Sequence, residues 1–121
     1  MAGATAAVAR GRFVQPRLVV EPAPANPAPD GPKLDQAVIG PLHQMMREVV
    51  TSGTGTALAN APGGPVYGKT GTAEFESGSA ETHAWFVGWQ GDIAFAVMVQ
   101  KGGAGADTAV PIVKRFLQAM A

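Results

Sequence analysis

The segment Tyr67-Gly68-Lys69-Thr70-Gly71-Thr72 combines a lysine, two threonines and two glycines within six residues. No other segment of the chain combines a lysine, hydroxyl groups and glycines within so few residues. The surrounding residues 66–73 are rich in valine, tyrosine and threonine, and this composition favours a β-strand diluted by glycine. The sequence therefore predicts a strand that carries a functional segment, with the rest of the chain as its scaffold.

The charge balance and the lack of cysteine exclude several classes of protein. The 121 residues include nine Lys or Arg and nine Asp or Glu, without a run of like charges, which argues against a nucleic-acid partner. With no cysteine, the chain has neither disulfides nor thiolate metal sites. Its apolar runs are far shorter than the ~20 residues of a membrane span, and residues 1–20 lack the order of a signal peptide. We expect no signal or anchor within the chain.

The first third of the chain predicts a helix, a strand and a loop. Residues 1–10 are rich in alanine and favour a helix that ends at Gly11. Residues 12–20 have the composition of a strand, although Pro16 limits its pairing. Residues 21–33 contain five prolines and predict an irregular proline-rich surface loop.

Residues 34–51 have the clearest helical pattern. Pro41 suits the first turn, and Gly53 suits the position just beyond the helix end. The polar residues, among them His43 and Arg47, are predicted to face solvent. Apolar residues at helical spacing predict one buried stripe, which comprises Val38, Leu42, Met45, Met46, Val49 and Val50.

The second half predicts an antiparallel meander. Residues 83–90 are rich in aromatic and β-branched side chains, which favour a strand. Gly91-Asp92 predicts a two-residue hairpin turn. The next strand, residues 93–100, is apolar on both faces and is expected to be covered on both. A polar loop is expected over residues 74–81.

Asp107 or Thr108 is predicted to cap a last helix, with Pro111 in its first turn. Its predicted apolar face comprises Val110, Val113, Leu117 and Met120, with Ile112 and Phe116 beside it. The predicted fold class is therefore α+β, a three-strand antiparallel meander packed by helices.

Two interpretations of the lysine segment need no acyl chemistry. Residues 63–70 (GGPVYGKT) match the phosphate-binding pattern G-x-x-x-x-G-K-[ST], but this pattern requires a helix to begin at the lysine. The residues after Lys69 do not favour a helix, so nucleotide binding is a distant alternative. In a structural interpretation, Lys69 protects an edge strand against aggregation. This does not explain the two glycines in the same strand.

Acyl transfer is the third interpretation. Lys-Thr-Gly is one of three signatures of the active-site serine penicillin-interacting enzymes. An exposed strand edge can pair with an extended peptide, and Gly71 leaves room for its backbone. Lys69 supplies a positive charge, and the Thr70 and Thr72 hydroxyls suit a substrate carboxylate. The Thr72 N–H suits one half of an oxyanion hole. Alternation places Lys69 and Gly71 on one face and the threonines on the other, so a twist or bulge at Gly71 is expected if Lys69 and both threonines serve one cleft.

The chain resembles the C-terminal end of a penicillin-binding protein transpeptidase domain. The resemblance rests on Lys69-Thr70-Gly71-Thr72, on residues 83–88 (HAWFVG) and on the apolar strand 93–99. Residues 46–56 (MREVVTSGTGT) resemble the helix and Gly-Thr-Gly turn before that strand in the class B, monofunctional enzymes. Residues 1–19 resemble the preceding helix and Gln-Pro-Arg strand. The richness in alanine, glycine and proline favours an actinobacterial member.

The resemblance implies an α/β fold of the α+β type, similar to serine β-lactamases and transpeptidases, with no metal and no cofactor. It implies a D,D-transpeptidase that cross-links peptidoglycan, with the peptidoglycan stem peptide and β-lactam antibiotics as its ligands. Lys69 and Thr72 are the implied catalytic residues, and Thr70, Gly71 and Thr72 the implied substrate-binding residues. Proteins of this family are extracytoplasmic and membrane-anchored.

Two of the family's three signatures are absent from the chain. No serine lies three residues before a lysine, and no serine lies two residues before an asparagine, so Ser-x-x-Lys and Ser-x-Asn are both absent. Without an activated nucleophile no acyl-enzyme forms. We therefore expect residues 1–121 to be an incomplete C-terminal segment, inactive without the missing N-terminal part of the domain. The alternative is a non-catalytic structural or peptide-binding fragment.

Overall fold

Three helices and three strands build the part of the chain that the computed structural model describes, residues 1–74, 76–78 and 80–121. A short 3₁₀ helix at Thr56–Leu58 precedes the first strand. This order confirms the α+β class. The elements are α1 (Ala2–Arg10), α2 (Gln36–Thr51), β1 (Val66–Glu74), β2 (Thr82–Gln90), β3 (Ile93–Val99) and α3 (Gly105–Met120).

The three strands form one antiparallel sheet in the order β1-β2-β3. β1 pairs with β2 along its whole length. A tight turn joins β2 to β3, so that Gln90 lies opposite Ile93. Gly91 adopts a φ of 54° in this turn, a left-handed conformation that glycine reaches without a Cβ clash. The predicted meander and its Gly91-Asp92 turn are thus confirmed.

The hydrophobic core lies between one face of the sheet and the helices α2 and α3. Phe86 of β2 is its largest fully buried side chain. The Phe86 ring lies against Gly68 of β1, where an added Cβ would come within 2.6 Å of the ring atom Cε1. Burial of one such side chain stabilises the fold by about 1.5–3 kcal/mol. The other buried members of this core are Val50, Leu58, Val66, Phe95, Ala109, Val110, Val113 and Leu117.

Helix α1 contacts β2 and β3 from the opposite face of the sheet. A group of rings connects this face to α2. The Nε2–H of His43 donates a hydrogen bond to the Val8 carbonyl oxygen at 2.6 Å. The His43 ring lies 5.0 Å from the Trp89 ring, and Trp89 stacks on Tyr67 with centroids 4.9 Å apart. These contacts hold α1 and α2 against the sheet at the end where β1 begins.

The prediction of a strand over residues 12–20 is wrong. Its only pairing in the described residues is an isolated bridge between Arg12 and Lys33. Pro16 lacks the N–H that pairing requires, and the Leu18 side chain is 100% exposed. A strand-like composition does not produce a β-strand where no neighbouring strand is available for pairing.

Several local predictions of the loops are confirmed. Helix α1 ends at Gly11, which adopts a φ of 78°. Residues 21–33 form no helix or strand beyond the bridge at Lys33 and are mostly exposed. The predicted polar loop over 74–81 includes Phe75 and Ser79, which lie outside the described residues.

Helix α2 begins later than the pattern indicated. Its first residue is Gln36, and the Asp35 carboxylate caps it by accepting a hydrogen bond from the Ala37 N–H at 2.9 Å. Pro41 is the sixth residue of α2 and lies in its second turn, so its predicted place in the first turn is wrong. Gly53 lies one residue beyond the C-cap, as predicted.

The predicted buried face of α2 is confirmed only in part, since Met46 and Val50 are buried as predicted. Val38 and Met45 are 62% and 55% exposed. The helix is rotated because two polar side chains contact the protein instead of solvent: His43 binds the Val8 carbonyl, and Arg47 binds a carbonyl of β1. The side chains that are buried are Ile39, Met46 and Val50.

Three predictions for β3 and α3 need correction. Helix α3 begins at Gly105, ahead of Asp107, so Pro111 lies in its second turn. Val110, Val113 and Leu117 are buried as predicted, whereas Met120 is 49% exposed. β3 is covered by the core on one face and by α1 on the other, but only in part, because Met98 is 48% exposed on this outer strand.

We expect Gly68→Ala to lower the free energy of unfolding by about 1–3 kcal/mol, because the new Cβ must displace the Phe86 ring. Gly71→Ala is the matched control in the same strand, since its Cβ would meet only the Trp85 Cβ at 3.3 Å. Its effect is expected to be below about 1 kcal/mol. Urea denaturation followed by tryptophan fluorescence measures both variants. Equal stability of Gly68→Ala and wild type would contradict the close contact with Phe86.

Candidate active site

β1 presents the segment Lys69-Thr70-Gly71-Thr72 along an open side of the sheet. In the described residues this strand pairs only with β2. Lys69 is exposed, and the strand continues beyond it to Glu74. No helix begins at the lysine, so the N-terminal N–H groups that a phosphate loop requires are not provided. The phosphate-loop interpretation of residues 63–70 is therefore wrong.

Two hydrogen bonds identify the backbone groups on the open edge of β1. The Arg47 Nη1 donates to the Val66 carbonyl oxygen at 2.8 Å, and the Lys69 Nζ donates to the Thr70 carbonyl oxygen at 2.7 Å. In an antiparallel strand, alternate residues direct both N–H and C=O to the same side. The N–H groups of Thr70 and Thr72 therefore point away from β2. This direction leaves them accessible to an extended ligand.

The side chains of the segment alternate as the strand period requires. Lys69 and Gly71 lie on the face that α1 covers in part, and Thr70 and Thr72 lie on the other face. The Lys69 side chain nevertheless bends to the strand edge, where its ammonium group meets the Thr70 carbonyl. The lysine charge and the threonine residues thus approach one edge without an interruption of the β1–β2 pairing. The bulge expected at Gly71 is not present.

Apolar surface flanks Lys69 on two sides. One shallow concave surface is formed by side chains of α2, namely Leu42, Met45, Met46 and Val49. A second one includes Met1, Trp85 and Val87 beside the Lys-Thr-Gly-Thr backbone. Trp85 thus lies at the wall of the candidate site, whereas Trp89 is buried in the stack with Tyr67.

Thr54 contacts the candidate segment, and the sequence interpretation missed this contact. Its hydroxyl oxygen lies 2.6 Å from that of Thr70, although the two residues are 16 positions apart. Thr54 belongs to the Gly53-Thr54-Gly55 turn that follows α2. The turn was visible in the sequence, but its contact with β1 depends on the path of the chain.

Gly105 is the second missed residue. It begins α3 and lies over the paired residues Gly71 and Trp85. An added Cβ would clash with the Trp85 carbonyl oxygen and would lie 2.8 Å from the Gly71 carbonyl oxygen. The start of α3 therefore rests directly on the backbone that carries the functional segment.

The other charged groups do not form a metal site. Among residues 1–74, 76–78 and 80–121, no group of three or more His, Asp or Glu side chains is placed to hold a metal ion. His83 is the second residue of β2 and lies opposite Ala73, one residue beyond Thr72. Within the same described ranges, no helix has the length and hydropathy of a membrane span.

The model of the penicillin-binding protein transpeptidase domain matches residues 1–118. Because this match covers nearly the whole chain, the protein belongs to the penicillin-binding protein transpeptidase family. The resemblance inferred from the sequence is thereby confirmed at the level of the family. The assignment to the class B subgroup and to an actinobacterial source stays a prediction. No curated protein matches the chain.

Two solved structures share the fold. One is a chain of a peptidoglycan synthase complex described for the coordination of polymerization and crosslinking. It is 25% identical with a TM-score of 0.70, and the match covers 98% of this chain and 22% of that one. The other is penicillin-binding protein A from M. tuberculosis in an imipenem acyl-enzyme complex, 24% identical with a TM-score of 0.70. That match covers 99% of this chain and 30% of the solved one. The chain thus spans less than a third of either protein.

We expect Gly105→Ala to lower the free energy of unfolding by about 1–3 kcal/mol, because the new methyl group must move α3 away from the Gly71–Trp85 pair. Amide hydrogen exchange should become faster at Gly71. Gly40→Ala is the matched helical control, since nothing lies within 4 Å of its Cβ position. It should raise stability by about 0.5–1 kcal/mol. If both variants behave alike, Gly105 does not support the segment.

Proposed function

We propose that this chain forms one wall of the acyl-transfer cleft of a penicillin-binding D,D-transpeptidase. The observation that carries the proposal is the open edge of β1, where the Lys69 ammonium group lies beside Thr70 in a chain of this family. The edge combines a positive charge, hydroxyl groups and outward N–H groups. This set suits a ligand that has both a peptide backbone and a carboxylate.

Each residue of the segment has a distinct role in this proposal. Gly71 has no side chain, so an extended stem peptide can lie close to β1. Lys69 holds the negative charges of the cleft by electrostatic attraction. The Thr70 and Thr72 hydroxyls donate to the ligand carboxylate. The outward Thr72 N–H stabilises the developing oxyanion, an interaction typically worth ~10²–10³ in rate when one donor is removed.

The nucleophile comes from the N-terminal part of the transpeptidase domain, which carries Ser-x-x-Lys. The serine oxygen bonds to the carbonyl carbon of the stem peptide, and the bond from this carbon to the leaving amine breaks. The serine proton is delivered to the departing amine through neighbouring bases. A second amine then releases the acyl group and forms the peptidoglycan cross-link. A β-lactam undergoes the same first step. The serine oxygen bonds to its ring carbonyl carbon, the ring C–N bond breaks, and the opened ring stays bound to the serine.

A non-catalytic peptide-binding fragment is the second candidate. It is favoured by one observation, the lack of Ser-x-x-Lys and Ser-x-Asn in the 121 residues. The same β1 edge would then bind an extended peptide without cleavage.

An extracytoplasmic location on a membrane-anchored protein follows from the first candidate and is part of that proposal.

Labelling with a fluorescent penicillin separates the two candidates. We expect no covalent label on the isolated chain and a covalent label on the reading frame extended upstream to include Ser-x-x-Lys. In the extended protein, Lys69→Ala should slow acylation by about 100-fold or more, because the cleft loses its fixed charge. Lys114→Ala is the matched control, since Lys114 lies exposed on α3. Its acylation rate should equal that of wild type.

Three results would count against the catalytic proposal. The first is an upstream reading frame that encodes no Ser-x-x-Lys, which would favour the peptide-binding fragment. The second is covalent labelling of the isolated chain, which would mean that the nucleophile lies within these residues. The third is an equal acylation rate for Lys69→Ala and Lys114→Ala.

A further inference from the structure

The contact between Thr54 and Thr70 assigns a role to a residue outside the Lys-Thr-Gly-Thr segment. We propose that Thr54 is a positioning residue, which orients the hydroxyl proton of Thr70 towards the carboxylate of the bound ligand. This inference rests on the proposed function, because it deepens the role given there to Thr70.

The distance between the two hydroxyl oxygens, 2.6 Å, is that of a hydrogen bond between hydroxyl groups. Thr70 lies in the middle of β1, whose register is fixed by pairing along the whole strand. Thr54 approaches from the core-facing side of the sheet, where Gly68 and Thr70 also point. The bond therefore joins the turn after α2 to the strand that carries the site.

The turn that carries Thr54 has little freedom. At Gly53 an added Cβ would lie 2.9 Å from the Val49 carbonyl oxygen. The Gly55 N–H donates to the same carbonyl oxygen at 2.9 Å, and Gly55 is buried. The glycines on both sides of Thr54 thus fold the turn tightly onto the end of α2. The Thr54 hydroxyl is held at Thr70 by the backbone and not only by its own hydrogen bond.

When a ligand is present, the number of hydroxyl protons decides which threonine is the donor in the Thr54–Thr70 hydrogen bond. Each threonine hydroxyl has one proton to donate, and an ionised carboxylate only accepts. If Thr70 donates to the ligand carboxylate, the proton in the Thr54–Thr70 bond must come from Thr54. Thr54 therefore donates to Thr70, and Thr70 donates to the ligand. Such a chain polarises the Thr70 hydroxyl and strengthens its bond to the anion.

The test compares two ligands in the extended reading frame. One is a penicillin with its free carboxylate, and the other is the methyl ester of the same penicillin. Thr54→Val removes the hydroxyl at similar volume and should slow acylation by the free acid about 10-fold. The slower acylation by the ester should not change, because the ester has no anion to orient. Thr54→Ser keeps the hydroxyl and should restore the rate with the free acid.

Thr51→Val is the matched control. Thr51 is exposed at the end of α2, and its hydroxyl contacts only the Glu48 carbonyl at 3.5 Å in the described structure. Its acylation rates should equal those of wild type with both ligands. Equal losses for the acid and the ester in Thr54→Val would mean a general structural role and would overturn the proposal. So would an unchanged rate with the free acid.

A second measurement examines the hydrogen bond in the isolated chain. In NMR spectra, Thr54→Val should shift the Thr70 resonances, Thr54→Ser should restore them, and Thr51→Val should leave them in place. Thr70 resonances that do not respond to Thr54→Val would overturn the Thr54–Thr70 bond itself. If the extended wild-type protein is not acylated at all, the proposed function fails and the ligand-orienting role fails with it. The NMR result then still decides whether the bond exists.

Discussion

The contact between Gly68 and the Phe86 ring fixes the position of the functional segment. Phe86 is fully buried, and its ring occupies the space that a side chain at Gly68 would take. β1 is thereby held directly on the core, one residue before Lys69. Because pairing with β2 continues through Glu74, the register set at this point extends to every residue of the segment. The candidate site residues are thus placed by the core and not by a loop.

Two further contacts act on the same strand from the core-facing side. The Gly53-Thr54-Gly55 turn reaches Thr70, and the first residue of α3 lies over Gly71. The contacts at Gly68 and Gly105 require glycine, because an added Cβ would clash with the Phe86 ring or with the Gly71–Trp85 backbone. The contact at Thr70 is a hydrogen bond between two hydroxyl groups. At the outer edge of β1, by contrast, the strand is not covered in this way, and its outward N–H groups stay available to a ligand. A strand that is rigid on one side and open on the other suits the binding of an extended peptide.

The sequence was sufficient to predict those elements that are determined by residues close together in the chain. The meander, its Gly91-Asp92 turn and the strand around Lys69 follow from composition and turn residues. The buried face of α2 followed only in part, because His43 and Arg47 are polar and their carbonyl partners lie on α1 and β1. A hydrophobic pattern assigns such residues to solvent. Residues 12–20 were assigned to a strand for a related reason, since composition does not reveal whether a pairing partner exists.

The same distinction applies to the candidate site. Lys69, Thr70, Gly71 and Thr72 were identified because they are contiguous and match a family signature. Thr54 and Gly105 were missed because their importance lies in contacts with β1 across 16 positions or more. Turn glycines in the sequence indicated a chain reversal, but not the element against which the turn packs.

A crystal structure of the extended protein acylated by a penicillin tests the central claim most directly. The distance to measure is that from the ligand carboxylate to the hydroxyl oxygens of Thr70 and Thr72. The account predicts a hydrogen-bonding distance to at least one of them, with the Lys69 ammonium group within the same cleft and the ligand amide against β1. A ligand bound to serine with its carboxylate away from β1 would contradict it.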